Sequence, residues 1–152
     1  MKIKILILCT ILFSYEHTYS QWNKKKKKNE SSFELNDAEK NKFEYNFFEA
    51  LKQKHLENYN DALELFKKCI KIDPNASAPF FEAAKIYKKL NQYDQAEDYA
   101  FRAYKIDNNN EPYTYLYAKV LANQKKYPKA KTIYKSLIKT NSKEQKYFYE
   151  LA

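Results

Sequence analysis

The chain has 152 residues, with 28 lysines and arginines against 19 aspartates and glutamates, a formal charge of +9 at pH 7. One domain is the default at this length, and 15 tyrosines and 10 phenylalanines supply ample apolar surface for a core. The absence of glycine excludes glycine-built phosphate loops and dinucleotide fingerprints.

Residues 1–20 have the pattern of a secretory signal peptide. Lys2 and Lys4 make the basic start, Ile5 to Phe13 the apolar stretch, and Thr18-Tyr19-Ser20 a small-x-small site before Gln21. The apolar run is too short to span a bilayer, which needs about 20 residues. Cys9 follows Leu8 and not a small residue, so a lipoprotein cleavage box is not supported. An uncleaved anchor is the rival reading. Residues 21–35 form a basic linker dominated by Lys24 to Lys28, a block expected to self-repel and stay disordered. It is either a solvated spacer or a weak electrostatic contact for anionic lipid, worth at most about 1 kcal/mol per lysine. No nucleic-acid partner is expected, because an exported protein seldom meets one.

Helices and short turns alternate from there. Asn36-Asp37-Ala38-Glu39 has the spacing of a capping box, which predicts a helix from there to about His55, with a turn at Leu56-Glu57-Asn58. Its partner helix is predicted from Asn60 to Lys71, halted by Asp73-Pro74. Ser77 is placed to cap the next helix, with Pro79 tolerated in its opening turn, and that helix ends near Leu90. Asp94 to Lys105 follows. Asn110, Glu111 and Pro112 then open another helix, and Pro128 sits just inside the start of the one after. A further first helix begins at Ser142, and the sequence ends at Ala152.

These elements repeat. Tyr59-Asn60-Asp61-Ala62 returns as Tyr93-Asp94-Gln95-Ala96 after 34 residues and as Tyr127-Pro128-Lys129-Ala130 after 34 more. Ala50, Ala84 and Ala118 lie twelve residues before Ala62, Ala96 and Ala130. Further columns are Phe66/Ala100/Tyr134, Cys69/Ala103/Leu137 and Ile70/Tyr104/Ile138. A fixed period in this range is the signature of stacked units. Small residues at the alanine columns let two antiparallel helices approach closely, where anything larger overpacks the crossing.

These residues resemble the tetratricopeptide repeat family, whose 34-residue units are helix-turn-helix pairs with small residues at the crossing. The resemblance covers residues 43–152. It implies an all-α fold, a right-handed α-α solenoid of antiparallel helix pairs. Three repeats are expected at 43–76, 77–110 and 111–144, with a partial fourth at 145–152. The domain as a whole spans 36–152. Unit one departs from the family pattern, with Asn46, Glu49 and Gln53 where unit two has Phe80, Ala83 and Tyr87. Either that helix is the free end of the stack, where terminal repeats are atypical, or it is slipped by one residue.

The resemblance also implies that first helices line a concave face that holds a partner segment. The matching positions are Phe47, Phe81 and Tyr115 in one row, with Leu51, Lys85 and Lys119 one turn on, and Lys54 and Lys88 beyond. Aromatics beside lysines suit a protein or peptide carrying apolar and acidic side chains. The other reading is that these rings only pack helix on helix, with solvated lysines around them. The family's carboxylate clamp is absent: Phe47 and Leu51, then Pro112 and Leu116, stand in its places.

Nothing points to catalysis. The histidines are His17 and His55, and Cys69 stands in a column with Ala103 and Leu137, which argues a buried apolar residue and not a nucleophile. No cofactor or metal is implied. The sequence therefore reads as an exported, non-catalytic interaction scaffold of a bacterial cell envelope or periplasm. The alternatives are a peripheral membrane-associated protein working through Lys24 to Lys28, and the front piece of a longer regulator.

Overall fold

The structure is a computed structural model that describes residues 35–140. The signal pattern, nearly all of the basic linker and the helix expected from Ser142 lie outside the described residues. Within them are six helices and no strand: α1 (Asp37–His55), α2 (Tyr59–Ile72), α3 (Ser77–Lys89), α4 (Tyr93–Ile106), α5 (Glu111–Asn123) and α6 (Tyr127–Thr140). None of these is long and apolar enough to cross a membrane.

Local chemistry explains most of the boundaries. The capping box at α1 is complete, because the Asn36 side chain accepts from the Glu39 N–H at 2.9 Å and the Glu39 carboxylate accepts from the Asn36 N–H at 3.2 Å. Asn110 caps α5 by accepting from the Tyr113 N–H. The start of α3 departs from expectation. Ala76 is the flanking residue and no side chain caps the helix; Ser77 is already helical, one position too late to act as the cap. Pro79 sits in that first turn, where its missing N–H removes no intrahelical bond, and there it is buried.

Each first helix ends the same way. Glu57, Asn91 and Lys125 have φ of 64°, 58° and 61°, the left-handed region, and are spaced 34 apart. The residue after each returns its N–H to a carbonyl five positions back: Asn58 to Gln53, Gln92 to Tyr87 and Lys126 to Leu121, all at 2.9 Å. This is a Schellman termination, which usually employs glycine at the left-handed position. A chain with no glycine makes three of them from glutamate, asparagine and lysine.

The helices pack in the pairs α1/α2, α3/α4 and α5/α6. Each pair meets the next through α2 against α3 and α4 against α5, and the first helices α3 and α5 also touch. Ala50, Ala62, Ala84, Ala96 and Ala118 are fully buried and Ala130 nearly so, as close crossings require. Asn46, Phe80 and Thr114 are all buried too. Because they form one column, α1 keeps the common register and the one-residue slip does not occur. The tyrosine column is less uniform. Tyr59 and Tyr93 are half-buried, whereas Tyr127 is exposed and leaves its ring unpacked.

Candidate functional site

The aromatic row lies on successive first helices, and each ring has found a neighbour. Phe47 on α1 meets Phe66 on α2 edge-on at 5.8 Å between centroids and stacks on Phe43 at 6.1 Å. Phe81 on α3 lies 4.8 Å from Tyr113 on α5, so this contact joins two first helices directly. Tyr115 on α5 lies 6.1 Å from Tyr134 on α6. All three rings of the row stay half-buried, each keeping part of its surface open to solvent. Leu51 is half-buried against the core beside Phe47.

The lysines of the second row lie over those rings. Lys85 Nζ is 5.0 Å from the centroid of Phe81, four residues before it, and Lys119 Nζ is 5.6 Å from that of Tyr115. Helical spacing of i and i+4 makes both contacts, because residues four apart share one face. Such a cation over a ring contributes about 0.5–1 kcal/mol where exposed. Lys88 is half-buried one turn further on.

Glutamates temper this basic surface. Glu82 accepts from both Lys54 of α1 and Lys85 of its own helix, and its side chain is only 14% exposed. Lys89 reaches back to Glu57 at 2.7 Å and also lies 5.0 Å from the centre of the Tyr59 ring. The Lys89 hydrogen bond, then one from Tyr59, holds the Glu57 carboxyl below the usual range, and the Glu57 carboxylate raises Lys89 in turn. A cleft of about 410 Å³ opens among Lys54, Lys85, Lys89, Tyr59 and Ile86.

Sequence reasoning missed Glu82 and Tyr113. Glu82 was legible as an i,i+3 partner of Lys85, but its bond to Lys54 spans 28 residues and needs the packed helices. Tyr113 sits in the first turn of α5, ahead of the row it completes.

Cys69 is fully buried, with its Sγ 3.6 Å from the Phe43 carbonyl, and burial pushes its thiol up to about 11. It is not poised as a nucleophile. Among the described residues no three histidine, cysteine or carboxylate side chains are grouped to hold a metal ion.

Comparison with known proteins decides the family. Tetratricopeptide repeat models match residues 55–101 and 114–143. This chain carries tetratricopeptide repeats. Solved tetratricopeptide repeat structures share the fold at low identity. The second such domain of human RPAP3, in complex with the HSP70 peptide SGPTIEEVD, is 16% identical, with a TM-score of 0.68 over 74% of this chain and 94% of that one. The Arabidopsis OM64 TPR domain gives 14% identity and 0.66 over 73% and 92%. MamA from Desulfovibrio magneticus gives 17% and 0.69 over 78% and 64%. No curated protein matches the sequence. With no glycine at the helix turns and with Asn46 in the first aromatic position, these tetratricopeptide repeats keep the packing columns while changing what fills them.

Proposed function

We propose that this protein is a non-catalytic interaction scaffold whose first helices hold a segment of a partner protein. The observation that carries this reading is the repeated pairing of a half-open ring with a lysine one turn on, Phe81 with Lys85 and Tyr115 with Lys119, on adjacent first helices. Such a surface offers ring faces for apolar side chains and ammonium groups for acidic ones. The RPAP3 domain, which shares the fold, was solved with a bound peptide, and this supports peptide binding as the use of the fold here. Phe47, Leu51 and Lys88 extend the same surface along α1 and α3.

We place this scaffold in the bacterial envelope, on the leader pattern of residues 1–20. Protease protection of the full chain in fractionated cells tests the placement, and a purely cytoplasmic pool would refute it. Binding is tested by pull-down from envelope extract with the wild type and a Phe81→Ala, Lys85→Glu double variant. A partner captured by the wild type and lost by the folded variant supports the groove. Equal capture by both overturns it.

A further inference from the structure

A second surface, of opposite character, lies where the second unit meets the third. Along one face of α4 run Asp94, Glu97, Asp98 and Phe101, at the i, i+3, i+4, i+7 spacing of a single helical stripe. With Tyr117 of α5 they line a cleft of about 370 Å³. Phe101 is 42% exposed, and its ring lies 5.4 Å from that of Tyr117. Tyr104 stacks behind Tyr117 at 5.3 Å and fixes its orientation. Two ring faces and three carboxylates thus share one opening, on a protein whose formal charge is +9.

The chain's own cations answer two of these three carboxylates and leave one. Glu97 accepts from Lys126 and Asp98 from Arg102, and Asp94 has no ion-pair partner among the described residues. The Tyr117 phenol is pushed up by burial first and by the Glu97 carboxylate second. Repeat packing does not demand the arrangement. At the first junction the corresponding residues are Asn60, Leu63, Glu64, Lys67 and Ala83, so one of the three carboxylates and neither ring has a counterpart, and the helices pack there too.

We infer that the cleft between α4 and α5 is a docking site for a lysine or arginine side chain of a basic peptide segment. The cationic head would lie over Phe101 and Tyr117, within reach of Asp94 and Asp98. Ring faces attract cations through their quadrupole, and the carboxylates add the charge complementarity that selects a basic segment over an acidic one. This surface is separate from the row of Phe81 and Tyr115, and the two readings stand or fall independently.

The test is a titration of the full chain with a blocked pentalysine peptide, followed by nuclear magnetic resonance. Amide and ring shifts are expected at Asp94, Asp98, Phe101 and Tyr117, with a blocked pentaglutamine peptide giving none. Phe101→Ala and Asp94→Asn should each weaken binding, by about tenfold for the ring. Glu64→Gln, at the position of α2 that matches Asp98, should leave it unchanged. Both substituted positions in the cleft are exposed; Phe101 also packs on Tyr117, so Asp94→Asn is the variant that leaves the helix seam untouched. Shifts scattered over other acidic positions, or equal weakening by Glu64→Gln, would reduce the cleft to diffuse attraction and overturn the inference. So would self-association of the untreated chain that Phe101→Ala abolishes, since a second copy would then be the occupant.

Discussion

Asn46 in α1 stands in the place that Phe80 holds in α3, both are buried, and only Phe80 is satisfied there. Phe80 packs its ring 5.9 Å from Tyr99, while the Asn46 Nδ2 finds no hydrogen-bond acceptor among the described residues. A buried amide without a partner costs about 1–3 kcal/mol. Asn46→Leu, which keeps the branched side-chain shape without the polar atoms, is therefore expected to stabilise the protein and raise Tm by several degrees. Thermal unfolding followed by circular dichroism measures this, and an unchanged or lower Tm would mean the amide is paired in solution.

The left-handed turns predict a graded response to glycine. Lys125→Gly removes the Cβ penalty at φ 61° and should gain about 0.5–1 kcal/mol after the added freedom of the unfolded chain is subtracted. Asn91→Gly should gain little, because asparagine tolerates this region and its side chain accepts from the Tyr93 hydroxyl at 2.8 Å. Denaturant midpoints for the two variants give the ranking. Equal gains at both would discard the steric explanation.

Cys69 predicts an alkaline limit. Its thiol titrates at about 11 in the fold against an ordinary value of 9.0, so below pH 9 it is neutral in both states and affects nothing. Between 9 and 11 the unfolded chain loses the proton first, and stability falls as pH rises, on the order of 2 kcal/mol across the window. Cys69→Ala, matching Ala103 in the next unit, should flatten that part of the pH profile. The native thiol should also react with iodoacetamide far more slowly than the unfolded chain; equal rates would contradict its burial.

Ala84 closes the crossing of α3 with α4 and has no exposed surface. Ala84→Leu inserts three carbons into that contact and should cost about 1–3 kcal/mol, read as a lower urea midpoint. A wild-type midpoint would show that the helices part more easily than the packing implies.

How much of this was readable from residues alone follows from range. The 34-residue columns of alanine placed every helix pair, because packing constrains both members of a crossing at once. The Asn36 and Asn110 caps were legible because their bonds close within three residues. Ser77 misled because an available hydroxyl does not fix which residue ends the extended backbone, and Ala76 does so here. The Schellman turns left no trace in a sequence without glycine, the residue that normally betrays them. At the candidate groove the ring and lysine rows were visible from helical spacing. The counter-ions were not, since Lys54 to Glu82 and Lys89 to Glu57 join residues 28 and 32 apart.

Those two bonds and the one from Lys126 to Glu97 have a shared property. Each links one helix pair to the following pair, whereas Lys40–Asp37, Lys52–Glu49, Lys67–Glu64, Lys85–Glu82 and Arg102–Asp98 are local i,i+3 or i,i+4 contacts. In a linear array, cooperativity depends on coupling between neighbours as well as on the strength of each unit. Ionic strength thus becomes a dial on that coupling: added salt weakens the seams while the alanine-lined hairpins hold, so the array would lose its all-or-none melting before it loses its helices.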